Sequence, residues 1–252
     1  MRLLYPLLLV SAIHPAIARE TPLPRPRPAE AALANYGPAP VPEPPDQPSP
    51  CQMRMTEKLI AVFESLPAIV GPSVCGAPDM VKLTTIMLPD DTRIVVSPPA
   101  IMRCTMAEAI THWVRDDIAP VANKAGLAIR TLDNFADYEC RGRNRVVGAR
   151  VSEHGYANAL DVRGFRLGDN KLFDFTDRSV PRDLREAIRK SVCARFMTVL
   201  GPRSDGYHEN HIHLDLAERR NGYRICQWEV LDPVPDVPLP RARPAEAPQV
   251  VE

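Results

Sequence analysis

Six cysteines constrain the fold of this 252-residue chain more than any other feature of its sequence. All six lie between Cys51 and Cys226, and none of them forms the Cys-x-x-Cys spacing that thiolate zinc sites commonly use. An even number of cysteines without such a pair is typical of disulfides made in an oxidising compartment. We therefore expect three disulfides that staple the fold, with zinc binding by the cysteines as the alternative.

One disulfide can be argued from the local sequence, although six cysteines allow fifteen pairings. Residues 81–88 and 93–96 have the pattern of strands, and Pro89-Asp90-Asp91 between them is a turn signal. Cys75 and Cys104 are nearly symmetric about this turn, so an antiparallel hairpin brings its two flanks together. We predict a Cys75–Cys104 bond and, by elimination, the bonds Cys51–Cys226 and Cys140–Cys193.

Residues 1–18 are predicted to be a secretory signal peptide. Arg2 precedes an apolar run over residues 3–13, and Ala16-Ile17-Ala18 has the small-x-small pattern of a cleavage site before Arg19. The apolar run is too short to span a bilayer comfortably. We expect a bacterial protein exported to the periplasm, without a membrane span after cleavage; an uncleaved anchor is the alternative.

Proline-rich segments flank the rest of the chain. Residues 19–50 contain eleven prolines and almost no large apolar side chains, and residues 231–252 are similar. Such segments cannot bury enough apolar surface to offset the entropy of ordering, so we expect disorder with extended polyproline conformations. A spacer that reaches through a cell wall and a neutral extension both fit this composition. Residues 51–230 are predicted to be one domain with its own core.

The charge of the chain gives no argument for a nucleic-acid partner. The sequence has 31 basic and 31 acidic residues, so its formal net charge is zero, and no basic stripe is visible. Proteins that bind nucleic acids usually carry a basic surface that attracts phosphates, so we expect no such partner here.

Hydrophobic spacing predicts about three helices. Residues 56–66 and 181–200 carry apolar side chains at helical spacing. A capping box at 105–108 opens a third helix that kinks near Pro120 and ends at Gly126. Besides the hairpin, short strands are expected near residues 128–132, 158–164, 212–216 and 222–228. This order predicts an α+β fold in which an antiparallel sheet packs against the helices.

Four of the six histidines fall in two short stretches, residues 152–161 and 208–215. In the second stretch, strand alternation places His211, His213 and Asp215 on one face and apolar side chains on the other. Two imidazoles and a carboxylate from separate segments match an open, catalytic zinc site. The same ligand types also suit iron(II), and a surface strand with accidental histidines is the alternative without a metal.

The two stretches also carry a family resemblance. The pattern Ser-x-His-x-x-x-x-Ala-x-Asp followed by His-x-His resembles zinc metallopeptidases that cut D-alanyl bonds in peptidoglycan, the D-Ala-D-Ala carboxypeptidase and murein endopeptidase group. Over about residues 51–228 the chain is similar to the bacterial extensin-like C-terminal domain, a branch of that group. The matching features are Tyr138-x-Cys140-Arg141, Arg150-Val151-Ser152-Glu153-His154, Ala157-Asn158-Ala159 and His208-x-x-His211-x-His213. Ala157 stands where the family's first motif usually has glycine.

The resemblance implies a Zn²⁺ ion bound by His154, Asp161 and His213, with water in the fourth position. Zinc in such a site lowers the pKa of its water to about 7 and polarises a carbonyl. The resemblance also implies that His208 and His211 flank the metal as catalytic residues that are not ligands. We favour His211 as the general base. Glu209 is the alternative, because related enzymes place a glutamate shortly before the last ligand.

Substrate contacts are expected from residues around the first ligand. Similar enzymes carry an arginine at the position of Arg141, and a guanidinium can hold a carboxylate through two parallel hydrogen bonds. Arg150 and Ser152 immediately precede His154 and are further candidates, while Asp215 is expected to accept the free N–H of a ligand. A solvated surface charge is the alternative for each arginine.

The sequence thus predicts zinc-dependent hydrolysis of D-alanyl bonds in peptidoglycan stem peptides or cross-links. Endopeptidase and carboxypeptidase activity are both open. A peptidoglycan-binding module that keeps the fold without turnover is the competing hypothesis.

Overall fold

The computed structural model of the chain describes residues 47–71 and 74–232. The predicted signal peptide and most of the two proline-rich segments lie outside the described residues. The folded region extends slightly into both segments, because Ser49 caps the first helix and the carbonyl of Leu231 accepts a hydrogen bond from Arg185. No helix among the described residues is long and apolar enough to cross a membrane.

A mixed sheet of nine strands carries the metal-site candidates. Its strand order is β1-β4-β5-β6-β7-β10-β9-β11, with β8 paired to β7, while β2 and β3 form a separate ribbon. The strands are β1 (Ala61–Leu66), β2 (Ile69–Val70), β3 (Gly76–Ala77), β4 (Met80–Met87), β5 (Arg93–Arg103), β6 (Ile129–Ala136), β7 (Ala159–Leu167), β8 (Leu172–Asp174), β9 (Thr198–Leu200), β10 (Ile212–Asp215) and β11 (Ile225–Gln227).

Two pairings of this sheet are parallel, whereas the sequence predicted an antiparallel sheet. Strand β5 runs parallel to β6, and β9 runs parallel to β11. Parallel neighbours need a long crossover connection, which a helical segment between β5 and β6 supplies. Strands β7 and β10, which carry the candidate ligands, are antiparallel as predicted.

Helices cover the sheet in three places. The first is α1 (Pro50–Glu57) and the last is α4 (Arg182–Arg195). Between them lies the central helix, a continuous segment made of α2 (Cys104–His112), a π-helical part (Trp113–Ile118) and α3 (Ala119–Lys124). The Trp113 ring packs against Phe165, Phe175 and Phe196, with centroid distances of 5.9, 6.2 and 6.0 Å. This aromatic cluster joins the central helix to the sheet, and the predicted α+β class is confirmed.

Two predicted helices have different boundaries. Residues 56–66 were expected to be helical, but α1 ends at Glu57 and residues 61–66 form β1, where Phe63 pairs with Leu83 of β4. An apolar spacing that fits a short helix also fits a half-buried edge strand, and sheet pairing decides here. The helix predicted for 181–200 ends at Arg195, since Phe196 is extended and β9 follows.

The irregularity predicted near Pro120 takes the form of the π-helical segment just before it. Proline lacks an N–H and its ring displaces the carbonyl of the preceding turn, so regular α-helical bonding is interrupted there. The predicted capping box was wrong. The helix begins after Arg103 without a side-chain cap, and Glu108 is paired with Arg54 instead.

Three disulfides link Cys51 to Cys104, Cys75 to Cys140 and Cys193 to Cys226, so none of the six cysteines is free. The predicted bonding state is confirmed, but the predicted pairings Cys75–Cys104, Cys51–Cys226 and Cys140–Cys193 were wrong. The hairpin register is the reason. Met80 pairs with Arg103, so Cys104 lies opposite Asp79 rather than Cys75, and its amide donates to the Asp79 carbonyl at 2.8 Å.

Peptide mapping of the unreduced protein checks this connectivity. We expect linked peptides for the three observed pairs and no titratable thiol after denaturation, because all six sulfurs are bonded. A reduced sample, which should give six thiols, is the control. A linked peptide joining Cys75 to Cys104 would contradict the hairpin register.

Candidate metal centre

Three ligand-type side chains meet on one face of the sheet. Asp161 on β7 lies directly opposite His213 on β10 in the strand register, so both project to the same side. His154 comes from a short 3-10 turn, Glu153–Tyr156, just before β7. His154 Nε2 is 3.1 Å from Asp161 Oδ1 and 3.1 Å from His213 Nδ1, and these last two atoms are 2.9 Å apart. All three residues are buried.

The turn that carries His154 is fixed at both of its ends. Ser152 Oγ accepts the backbone N–H of His154, and Ala157 closes the turn in the left-handed conformation, with φ of 52°. An alanine there costs about 1–2 kcal/mol relative to the right-handed region. Its methyl group is fully buried against Ala77 and Met80, a contact that returns about 0.8 kcal/mol. Packing therefore offsets much of the strain of this left-handed alanine.

Gly155 brings a disulfide against the same turn. A Cβ added at Gly155 would lie 2.6 Å from Val151 Cγ1 and 3.1 Å from Cys75 Sγ. Real Cβ atoms essentially never show the first distance and rarely show the second, so a larger residue at position 155 would push against Val151 and the Cys75–Cys140 bond. The disulfide therefore packs against the residue that follows the first candidate ligand, and its Cys140 immediately precedes Arg141.

The remaining ring nitrogens of the two histidines already have partners. His154 Nδ1 donates to the carbonyl of Asp137 at 2.6 Å, and His213 Nε2 donates to Asp215 Oδ2 at 3.1 Å. In their neutral forms, both rings then present a lone pair to Asp161. The expected role of Asp215 as an acceptor for His213 matches this contact.

With both rings neutral, three lone pairs converge with no donor between them, and either a proton or a metal ion placed there would satisfy them. Zinc bonds of about 2.0–2.1 Å in tetrahedral geometry separate ligand atoms by about 3.3 Å. The observed separations of 2.9–3.1 Å are close to that value. The residues present therefore fit a small divalent cation held by His154 Nε2, His213 Nδ1 and an Asp161 oxygen.

The electrostatics of the cluster agree with this arrangement. Burial raises the pKa of Asp161, but hydrogen bonds and charge from His154 and His213 outweigh it and hold that pKa well below its usual range. Burial lowers the pKa of His213, but Asp161 and Asp215 raise it to about 9. A proton on His213 therefore neutralises part of the carboxylate charge when no cation is bound.

His211 lies beside this cluster. Its Nε2 is 3.6 Å from Asp161 Oδ2, its Nδ1 donates to Asn210 Oδ1 at 2.8 Å, and its ring stacks on Phe135 at a centroid distance of 4.5 Å. Burial lowers the pKa of His211 to about 4, and the neighbouring histidines act in the same direction against Asp161. His211 is therefore neutral at pH 7, with an unprotonated Nε2 that faces the centre.

Of the other predicted site residues, Arg141 and Ser152 line the cleft beside the cluster, whereas Arg150 and Glu209 do not. Arg141 Nη2 is 3.8 Å from Asp161 Oδ2, and its Nε donates to Glu139 at 3.0 Å. Ser152 acts through the turn described above. Arg150 is exposed and contributes its backbone carbonyl to a hairpin. Glu209 is exposed and accepts the backbone N–H of Arg203 at 2.8 Å, so the structure does not bring it to the cluster.

An open cleft of about 360 Å³ leads to the candidate ligands. One wall is the arginine hairpin, residues 141–152, which is closed by backbone hydrogen bonds from Arg143 to Arg150 and from Ser152 to Arg141. The lining also includes Leu200 of β9 and Gln227 of β11. His154 and His213 also line it, so the cleft gives access to two of the three candidate ligands.

Sequence reasoning did not find several residues of this site. Asp137 acts through its backbone carbonyl, which leaves no side-chain signature. Phe135 contacts His211 from β6, and no local pattern relates the two. Asp205 accepts from His208 Nδ1 at 2.7 Å, and its position three residues earlier in the same loop is a signal that could have been used.

A second group of metal-ligand types, Cys51, Asp79 and Cys104, does not form a comparable centre. The two cysteines are bonded to each other, so neither offers a thiolate.

The fold and the site together define a class: a disulfide-stapled α+β domain with a buried His-Asp-His cluster that can hold a metal ion at the base of a cleft. The family described as extensin-like protein C-terminus matches residues 49–227, and the chain belongs to this family. No curated protein and no solved structure matches the chain.

The pH dependence of metal affinity tests the centre. Metal binding requires unprotonated His213, whose pKa is about 9 without a metal. Below that pH, each bound ion should release about one proton, and the apparent affinity should fall about tenfold for each pH unit lowered. Zinc titrations by calorimetry in buffers of different protonation enthalpy measure both quantities.

Asp215→Asn is the matched variant for this experiment. It keeps a hydrogen-bond acceptor for His213 but removes one of the two charges that raise the pKa of His213. The onset of proton release should therefore shift to lower pH. Zinc affinity that does not change with pH in the parent protein would contradict the assigned ligand set.

Proposed function

We propose that this protein is a periplasmic zinc peptidase that hydrolyses D-alanyl peptide bonds in peptidoglycan stem peptides or cross-links. The observation that carries the proposal is the convergence of three lone-pair atoms at the base of an open cleft, with neutral His211 beside them. The resemblance of the two histidine stretches to D-alanyl-cutting zinc peptidases supports the substrate class. Three disulfides fit an exported protein.

His154, Asp161 and His213 would hold the zinc ion. When bound, zinc acts as a Lewis acid and makes water a nucleophile near neutral pH. The chain's own residues supply orientation and proton transfer. Asp137 and Asp215 fix the two imidazoles from behind, so the ligand nitrogens need no rearrangement to bind the ion.

His211 is placed to exchange a proton with the reacting groups. Its Nδ1 is held by Asn210 and its ring by Phe135, so Nε2 keeps one direction, toward Asp161. Because burial keeps the ring neutral at pH 7, Nε2 can accept a proton and later deliver it to the leaving amine. Glu209 makes its contact with the Arg203 backbone instead.

Arg141 is placed to bind a carboxylate of the stem peptide. Its guanidinium lies in the cleft near Asp161, and Glu139 holds it through Nε, which leaves donors on the terminal nitrogens. Stem peptides end in carboxylates, and a charge-assisted pair with arginine favours their alignment over the centre.

Digestion of purified peptidoglycan tests the function. We expect the zinc-loaded protein to release either free D-alanine or monomers from cross-linked dimers, which mass analysis of the fragments distinguishes. His154→Ala, which lacks a ligand, is the control and should release neither. Metal analysis of the purified parent separates zinc from iron(II). Binding of peptidoglycan without fragments would support the non-catalytic binding module instead.

Substitution of His211 separates ligation from chemistry. His211→Ala should keep the zinc content, because no ligand is lost, and should slow hydrolysis by roughly two to four powers of ten, the usual effect of a positioned acid–base group. Glu209→Gln is the matched control and should hydrolyse at nearly the parental rate, since the glutamine oxygen can still accept the Arg203 amide. An active His211→Ala with an inactive Glu209→Gln would reverse the assignment.

Two arginines of the hairpin give a test of substrate binding. Arg141→Ala should raise KM about 10- to 150-fold, because a charge-assisted hydrogen bond contributes about 1.5–3 kcal/mol. Arg150→Ala removes the same charge from an exposed side chain and should change KM little. Steady-state kinetics on a defined stem peptide, with zinc content measured in parallel, decides between them. If Arg141→Ala and Arg150→Ala raise KM equally, the arginines attract the substrate through long-range charge rather than through a contact with Arg141.

A further inference from the structure

Asp205 holds His208, the second histidine that flanks the cluster without being a candidate ligand. Asp205 Oδ1 accepts His208 Nδ1 at 2.7 Å and the backbone N–H of Tyr207 at 3.0 Å. The His208 side chain is only 9% exposed, and its ring centroid lies 5.1 Å from that of His211 and 5.7 Å from that of His213. Because Nδ1 is bonded to Asp205, Nε2 is the nitrogen left for the cleft.

The other oxygen of Asp205 is fixed from the arginine hairpin. Asp205 Oδ2 accepts Asn144 Nδ2 at 3.2 Å, although the two residues are 61 positions apart. Asn144 stands at the tip of the hairpin in the left-handed conformation, which asparagine adopts more readily than most residues. Asn144 and Asp205 both line the cleft, so this hydrogen bond joins two of the loops that form it. Both carboxylate oxygens are therefore oriented before any substrate enters.

We propose that Asp205 is a positioning residue that keeps the proton of neutral His208 on Nδ1 and so presents an unprotonated Nε2 to the cleft. The hydrogen bond made by one imidazole nitrogen decides which nitrogen carries the proton. A carboxylate beside Nδ1 also stabilises the imidazolium that forms when Nε2 takes up a proton. This role rests on the proposed hydrolysis, for which the sequence resemblance assigns His208 as a catalytic residue that is not a ligand.

The competing explanation is that Asp205 only stabilises the turn in which it accepts the backbone N–H of Tyr207. Asp169 forms the same kind of turn, since its Oδ1 accepts the backbone N–H of Lys171 at 3.0 Å. Asp169 is exposed and is not among the residues that line the cleft. Substitutions at Asp169 therefore show what the loss of such a turn does when no histidine depends on it.

The direct test is to measure which ring nitrogen of His208 carries the proton. Long-range proton–nitrogen NMR of the zinc-loaded protein, recorded over a pH series until the His208 signals stop changing, should show the neutral His208 ring protonated on Nδ1. In Asp205→Ala, protonation of Nδ1 should be lost, whereas Asp169→Ala should leave the His208 signals unchanged. His208 protonated on Nε2 alone in the parent protein overturns the proposal, and that spectrum decides even if Asp205→Ala does not fold.

Kinetics separate positioning from folding. Asp205→Asn keeps the turn and an acceptor but removes the charge, so kcat on peptidoglycan fragments should fall about 10- to 100-fold with little change in KM or zinc content. Asp169→Asn should match the parent protein. Equal kcat values for Asp205→Asn and the parent overturn the role in turnover. A parent protein that leaves peptidoglycan intact overturns the proposed function, while the tautomer still decides where His208 carries its proton.

Discussion

The pairing of β7 with β10 is the constraint on which the centre depends. Asp161 and His213 are opposite each other in this register, and side chains on a strand alternate between the two faces of the sheet. A slip of one residue would turn His213 into the core and bring an apolar side chain to the face that carries the candidate ligands. The register is fixed from beneath by Leu160, Val162, Ile212 and Leu214, all completely buried. Core packing thus determines which polar atoms meet above it.

The same pairing brings charges together that must then be balanced. Asp161 and Asp215 stand on either side of His213, and both carboxylates are buried. Burial of carboxylates is unfavourable unless hydrogen bonds or opposite charge compensate it. Without a metal, a proton on His213 supplies that charge, which is why its pKa is about 9. A divalent ion would supply more charge at the same place, so a proton and a metal ion would compete for this site.

The sequence predicts the parts of the site that depend on strand alternation. His213 and Asp215 share one face of β10 as the alternation rule requires, and the turn at Asp91 closes the predicted hairpin. The predictions that were wrong concern features that depend on tertiary contacts. The apolar spacing of residues 56–66 satisfies a helix and an edge strand equally, and only pairing with β4 selects the strand. The disulfide between Cys75 and Cys140 joins residues 65 positions apart, and no local rule predicts such a contact.

His154 needs a different kind of support, because it is not on a strand. Its turn is held by Arg103, whose guanidinium donates twice to the carbonyl of Tyr156, by the disulfide that packs on Gly155 and by Asp137 behind the ring. Arg103 is half-buried, and burial lowers its pKa, so the energetic cost of placing it there is offset by those two hydrogen bonds and by nearby carboxylates such as Glu153. Two ligand positions thus come from the sheet register, and the third comes from cross-links that reach the turn from three separate segments. One of the three covalent staples, Cys75–Cys140, therefore supports the turn that carries His154 as well as the stability of the fold.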